Sequence, residues 1–419
     1  MNLWNRITGR KSDQGGGGDS LSAILSALLV GAQAKSGATV NRETALKVSA
    51  LFACVRVIAE GVAQVPFKLM RQTESGVSRH PQRGDATDHP LYDLLHRAPN
   101  AWQTSFEFRE TMVIHAMLGN GAYAFKNVVD VGTRGPRVAE LILIDPSRVT
   151  VKQHDDWSIT YKVRGRSGEV QDFPQQAIWH LRGPSWDGVL GLDILKLARE
   201  ALGLSISTEE THSALHKKGV RPSGIYSVDS TLTSEQYKAL KTWIEKEYAG
   251  AESAGLPMVL DRGAKFVTQT MNGVDAQHLE TRRFQIEEVC RFCRVLPIMI
   301  GYSDKAATYA SAEQMFLAHL VHTLMPWYER IQQSADVNLL SKADRQNGYY
   351  TKLVEAGLLR GALKDTADYL ARLTMGGIME RNEARAKLDL NPLAGLDKPL
   401  TPTNMTTDTT GAVSIPAGA

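Results

Sequence analysis

Residues 309–331, YASAEQMFLAHLVHTLMPWYERI, form the most apolar long helix pattern in the chain's C-terminal half. Phe316, Leu320, Leu324, Trp327 and Ile331 recur at three- and four-residue steps, the period of one helix face. Leu317, Val321, Met325 and Tyr328 fill an adjacent face, so the helix is apolar around most of its circumference and calls for burial on more than one side. Pro326 stands inside it and predicts a kink. Two arrangements would cover both faces: packing between identical neighbours in a closed ring, or passage through the core of one large helical domain. Periodicity alone does not choose between them.

Upstream of this helix lies a polar stretch, 301–311, carrying Ser303, Asp304, Lys305, Thr308, Tyr309 and Ser311. Before that, two long helices, 193–218 and 275–296, bracket a small insert. The first has Asp193 at its start, Lys217 and Lys218 in its last turn and Gly219 just beyond, an order that suits the helix dipole and the C-cap. The second starts at Asp275, where Val274 and Leu279 can form a hydrophobic staple, and must end before Pro297. The insert reads as βαβ-like. A strand at 224–228 precedes a helix opened by the capping box Thr233-x-x-Gln236, and strands follow at 257–260 and 265–271.

Towards the N-terminus, Asn41 caps a helix in which Leu51, Val55, Ile58, Val62 and Val65 share a face, and Pro66 stops it. A strand at 67–70, a polar loop at 71–88 and helices at 89–96 and 105–119 come next. The pattern to Leu181 is strand-like, with candidates at 138–144, 149–151, 159–163 and 177–180. The fold class is therefore α+β. Helices are expected near 348–357, 363–375 and 380–387. Gly-rich residues 1–40 and Thr/Pro/Gly-rich 396–419 read as flexible tails. The folded body divides into 41–190, 191–218, 219–274, 275–301, 302–345 and 346–395.

Among the 419 residues, 48 Lys and Arg oppose 45 Asp and Glu, a net charge of only +3. Segments 191–218, 219–274 and 275–301 balance at four and four, six and six, and four and four. Such a chain does not grip nucleic acid by neutralising phosphates. The three cysteines cannot build a disulfide framework, which points to synthesis in a reducing compartment. No apolar run is long enough to span a bilayer; Leu21–Ala34 has the length of a signal-peptide core but lacks a matching cleavage site, so no membrane association is expected.

Candidate chemistry is sparse. Cys290-x-x-Cys293 has metal or redox spacing but sits deep in a helix, and the remaining cysteine, Cys54, is far away in sequence. It reads as two small apolar residues one turn apart. His212 and His216, with Glu209 and Glu210 a turn earlier, and His319 with His322, have helix-face spacing without a third ligand. No phosphate-binding loop, dinucleotide fingerprint or nucleophile elbow occurs. A metal-dependent phosphodiesterase would need His154, Asp155, Asp156 and His180 to converge; Asp155-Asp156 before Trp157 read better as a hairpin turn. The expectation is a non-enzymatic protein with no cofactor and no metal.

Several ordered marks resemble the portal proteins of tailed bacteriophages of the HK97 type. They are Ala50-Leu51-Phe52-Ala53-Cys54-Val55 through Ile58-Ala59 and Val65-Pro66, Asp187-Gly188-x-x-Gly191, and Gly219-x-x-Pro222-Ser223-Gly224-Ile225 with Leu232-Thr233. Asp275-Ala276-Gln277-x-Leu279-Glu280-x-Arg282, Val295-Leu296-Pro297-x-x-Ile300-Gly301 and Thr308-Tyr309-Ala310-Ser311-Ala312-Glu313-Gln314 follow. Leu324-Met325-Pro326-Trp327 and Asn382-Glu383-Ala384-Arg385 complete the series. Cys293 stands near a position where many relatives have Gly, and Leu296 replaces a Pro.

The resemblance implies a ring, typically of twelve copies, at one capsid vertex, through which double-stranded DNA passes non-specifically in packaging and ejection. In its terms, 41–190 is an α/β wing, 191–218 and 275–301 are stem helices, and 219–274 is a small α/β clip. Residues 302–345 hold the tunnel loop and the long kinked helix, and 346–395 form a helical crown. Ser303, Asp304, Lys305, Thr308, Tyr309 and Ser311 would face DNA. Phe316, Leu320, Leu324 and Trp327 would pack subunits together. The implied partners are further copies of the chain, the terminase large subunit, the major capsid protein and scaffold, and a head–tail connector or adaptor. Assembly would take place in the host cytoplasm and the product would reside in the virion. A monomeric structural or adaptor protein of the virion is the remaining alternative.

Overall fold

The computed structural model describes residues 33–400 apart from 75–77, 79, 131–135, 219–223, 228–232, 248–264, 269–271, 303–308, 356–362 and 389, together with 406–407 and 413–414. The described residues fall into two compact units. One comprises Val55–Asp193 and the chain from Tyr302 onward; the other comprises the chain up to Cys54 and Ile194–Gly301.

In the first unit, two three-stranded sheets enclose a shared apolar core. β3 (Ala122–Asp130) lies between β4 (Pro136–Ile144) and β8 (Ile178–Leu181), all antiparallel. β5 (Val149–Gln153), β6 (Ile159–Arg164) and β7 (Val170–Pro174) form an antiparallel meander. Alternate residues of both sheets (Tyr123, Phe125, Ile142, Ile144, Tyr161, Val163 and Phe173 among them) point inward, as a half-buried strand requires. The turn between β5 and β6 is formed by Asp155-Asp156-Trp157, as the sequence predicts, and Trp157 there takes a left-handed φ of 66°.

The helix Ser49–Ala63 supplies the buried residues Val55, Ile58, Ala59 and Val62. Asn41 does cap a helix, through a reciprocal capping box with Thr44, but that helix is the short Arg42–Leu46. The C-terminal carbonyls of Ser49–Ala63 and the residues beyond are met by Arg109, from the helix Ser105–Leu118. Its guanidinium donates to Ala63 O at 2.6 Å and Val65 O at 3.2 Å. Burial pulls the Arg109 guanidinium down to about 10.

One expectation is overturned in this unit. Residues 349–353 are a strand, β11, not part of a helix over 348–357. It pairs antiparallel with β1 (Phe67–Thr73), Phe67 opposite Leu353 and Arg71 opposite Tyr349, and β1 also takes β2 (Gln82–Asp85) from the expected polar loop. Tyr349, Tyr350 and Thr351 are aromatic and β-branched, and an open edge of β1 gives such residues a pleated surface to pack on. Gly348 enters β11 at φ +80°, where a Cβ would stand 2.2 Å from Gln72 O, so glycine is required twice over. The helices 363–375 and 381–387 stand where they were expected.

In the second unit, the expected helix 193–218 is a short turn of helix, Ile194–Leu197, followed by Arg199–Lys218; its partner is Asn272–Cys293. Gln285 Nε2 donates to Thr208 Oγ1 across the pair at 3.4 Å. Asn272–Cys293 ends in a Schellman turn: Val295 N–H donates to Cys290 O at 2.9 Å, and Arg294 takes the left-handed position at φ 58°. The helix Ser234–Glu247 opens on the Thr233/Gln236 capping box, with bonds of 3.1 and 3.3 Å. Strands β9 (Gly224–Ser227) and β10 (Lys265–Thr268) pair antiparallel, so the insert is not a parallel βαβ crossover. The expected strand 257–260 lies outside the described residues.

Candidate functional site

The helix that opened the sequence reading runs Tyr309–His319, widens to a π turn over Leu320–Leu324 and continues as Met325–Asn338. In the π turn Met325 N–H donates to Leu320 O, five residues back. The extra residue per turn carries the chain past Pro326, which has no N–H to give, so the expected kink takes the form of a helix bulge.

The two halves of this helix meet different surroundings. In the C-terminal half, Trp327, Tyr328, Ile331 and Ala335 are buried. Tyr328 Oη donates to Gly61 O at 2.9 Å, Ser334 Oγ accepts from Trp179 Nε1 at 2.9 Å, and Asn338 O accepts from Lys126 Nζ at 2.7 Å. Asp336 accepts from Thr351 N–H at 2.7 Å, fixing β11, while burial holds its carboxyl above the ordinary range. Gly61 lets Leu324 approach: a Cβ there would be 2.8 Å from Leu324 Cδ2.

In the N-terminal half, Met315, Phe316, Leu317 and Val321 are exposed, Phe316 to 60%. Met315, Phe316 and Leu317 follow one another around one turn and Val321 stands one turn beyond Leu317, so together they leave apolar surface on more than one side of the helix.

Of the four residues expected to pack subunits, Leu320, Leu324 and Trp327 are therefore buried by their own chain, and Phe316 is not. The periodicity was a true signal of burial, but it could not say which partner supplies the cover. Met315, Leu317 and Val321 complete the exposed surface; the adjacent apolar face was the signal for the last two. Tyr309 and Ser311 lie in the first turn of the helix, not in a loop. Ser303, Asp304, Lys305 and Thr308 lie outside the described residues.

The second unit also presents apolar side chains, Leu204 and Phe284, on its long helices, with the Arg291 guanidinium 5.7 Å above the Phe284 ring. Its core brings Cys54 Sγ to 3.9 Å from Cys290 Sγ, although 236 residues separate them. A hydrogen bond from Cys290 lowers the Cys54 thiol, but Cys293 and burial outweigh it and push Cys54 up to about 12. The contact with Cys54, together with burial, pushes the Cys290 thiol up as well. These are protonated packing groups rather than nucleophiles.

The other ligand candidates do not converge. His154, Asp155 and Asp156 sit on the exposed hairpin turn, where Asp156 accepts from Ser158 N–H and Oγ at 3.0 and 2.6 Å. His180 lies in the core, its Nδ1 3.2 Å from Tyr161 Oη, and burial brings its imidazole down to about 3. His319 is buried while His322, one turn on, is exposed, so that pair does not present one face to an ion. His212 is partly buried on the helix Arg199–Lys218. Among the described residues, no helix is long and apolar enough to cross a membrane.

Comparisons with known proteins agree on one family. The family model described as phage portal protein matches residues 49–389. The portal protein of Enterobacteria phage HK97 is 28% identical over 360 residues, covering 86% of this chain and 82% of that protein. Among solved structures, the neck of a native gene transfer agent particle, computed with C12 symmetry, aligns with TM-score 0.55 at 23% identity over 88% of this chain and 99% of its own. An HK97-family phage portal protein from Corynebacterium diphtheriae aligns with TM-score 0.54 at 15% identity over 76% of this chain and 96% of its own. With a family model spanning residues in both compact units and solved relatives sharing the fold, this chain belongs to the phage portal protein family.

Proposed function

We propose that this phage portal subunit closes with eleven further copies into a twelvefold ring at one capsid vertex, and that double-stranded DNA passes through the ring during packaging and ejection. The observation that carries the reading is the apolar surface of Met315, Phe316, Leu317 and Val321, left open on a helix whose other half buries Trp327, Tyr328, Ile331 and Ala335. A second copy gives that surface an apolar neighbour, and the C12 symmetry of the solved neck fits the subunit number.

Residues 303–308 precede this helix directly. Ser303, Asp304, Lys305 and Thr308 would face the passing duplex, with Tyr309 and Ser311 at the root of the helix. The near-zero net charge supports sliding rather than gripping, because each tight phosphate contact would add a barrier to translocation. In this reading 219–274 is the clip and receives the terminase large subunit, the motor that the chain's own motifs do not supply. The wing meets the major capsid protein and scaffold, and a head–tail connector docks after packaging. Assembly takes place in the host cytoplasm and the ring stays in the virion.

Particle-averaged images of the purified full-length chain test this directly. A closed ring with a central channel is expected, and Lys305→Ala should preserve it while changing packaging alone. A monomer persisting at high concentration, or loss of rings in Lys305→Ala, overturns the ring or the loop assignment respectively.

A further inference from the structure

Three metal-ligating side chains from opposite ends of the first unit's sequence meet away from the assembly surface. His80 Nε2 lies 3.5 Å from Glu380 Oε2 and 4.0 Å from Asp397 Oδ1. All three donor atoms fall within 4.8 Å of one another. The three side chains are partly sheltered, and His80 and Glu380 stand 300 residues apart in sequence.

Their neighbours hold them in place. Asp397 Oδ1 accepts from Ser78 Oγ at 2.7 Å and from Asn382 Nδ2 at 2.8 Å. Asn382 is completely buried and is itself pinned by Leu393, donating to its carbonyl at 2.8 Å and accepting from its N–H at 2.9 Å. Glu380 is the N-cap of the helix Arg381–Lys387, its N–H donating to Glu383 Oε2 at 3.4 Å. Ser78 Oγ also accepts from His80 N–H at 3.1 Å, so one hydroxyl joins the imidazole-bearing segment to the Asp397 carboxylate.

We propose that His80, Glu380 and Asp397 bind a zinc ion, with water as the fourth ligand, and so clip the segment after β1 to the C-terminal part of the chain. Four-coordinate zinc, with bonds of about 2.0–2.2 Å to imidazole nitrogen and carboxylate oxygen, places its ligand atoms about 3.3–3.5 Å apart. The His80–Glu380 separation already has that value; Asp397 would need to close by about half an ångström on His80, and its distance to Glu380 is within 4.8 Å before any ion draws the two together. One imidazole with two carboxylates is a donor set for a borderline cation rather than for an all-oxygen calcium or magnesium cage. Ser78 and Asn382 orient the Asp397 carboxylate as outer-shell partners do in metal sites. The inference does not depend on the ring or channel reading.

The test uses the full-length protein, stripped with EDTA and desalted, then titrated with zinc chloride by calorimetry and followed by thermal melting. One zinc per chain and a rise in the melting temperature are expected, and cobalt(II) should give the visible bands of a four-coordinate site. His80→Gln and Asp397→Asn should each weaken zinc binding roughly tenfold or more. Asp397→Asn keeps an acceptor for Ser78 and Asn382, so it isolates the ligand even if His80→Gln perturbs its segment. His154→Gln, on the exposed hairpin, should bind zinc as the parent does. Absence of a zinc-dependent shift overturns the proposal. So does unchanged affinity in both ligand variants, or preference for calcium or magnesium over zinc; the cluster would then be a hydrogen-bonded clamp of imidazole and carboxylates only.

Discussion

The long helix at 309–338 is one sequence pattern with two fates. From Trp327 onward, Trp327, Tyr328, Ile331 and Ala335 are buried with β8 and β11 of the same unit beside them, only Val337 of its apolar residues stays exposed, and its polar atoms are tied to Trp179, Lys126 and Thr351. Up to and into the π turn, a more apolar run is left facing outward. The outward half is the more apolar of the two; what differs is whether the chain has anything to set against it. A helix of this kind serves as an anchor at one end and as a contact surface at the other.

The largest expected effect comes from Trp327→Glu. It would bury a charge and vacate an aromatic site at the anchored end, costing on the order of 3–5 kcal/mol. Thermal or urea unfolding of the isolated subunit should show the loss. Phe316→Glu makes the contrast: it should leave subunit stability within about 0.5 kcal/mol while preventing assembly, read by mass photometry. Equal damage to stability by both would erase the distinction between the halves.

Gly61→Val comes next. Its side chain would enter space held by Leu324, and overpacking there should cost about 1–3 kcal/mol without touching the exposed surface.

The pH dependence should act on the buried half too, because His180 O receives the Ser334 hydroxyl at 3.3 Å. The His180 imidazole stays neutral in the fold down to about 3, whereas the unfolded chain takes up its proton near 6.5. Stability from this group is therefore complete above pH 6.5 and falls as pH drops towards 3, by up to about 1.4 kcal/mol per unit. Urea midpoints across that range should show the slope, and His180→Phe should flatten it.

The smallest change is a gain. Arg294 occupies a left-handed Schellman position at φ 58°, and Arg294→Gly should raise unfolding stability by up to about 1 kcal/mol.

Local patterns were legible wherever neighbouring residues carry their own signal. The Thr233/Gln236 box, the Pro66 stop and the Asp155-Asp156 turn appear where the sequence puts them, and Asn41 does cap a helix, but the short Arg42–Leu46 rather than the one that carries Leu51 and Val55. Tyr349–Leu353 was misread because strand identity depends on a partner that lies far upstream, at Phe67–Arg71. Cys54 was set aside for its distance along the chain, yet it packs against Cys290.

The subunit-contact residues show the same limit most sharply. Spacing named Phe316, Leu320, Leu324 and Trp327 as one face, and burial divided them between the chain's own core and its outer surface. The sequence alone determined the α+β class, the long helices, their caps and the family, because these rest on local propensity and ordered motifs. Only the tertiary structure decided which apolar surface is already covered, which cysteines meet and which histidine finds two carboxylates. Those are relations between residues remote along the chain, and a one-dimensional pattern holds no measure of the distance that folding leaves between them.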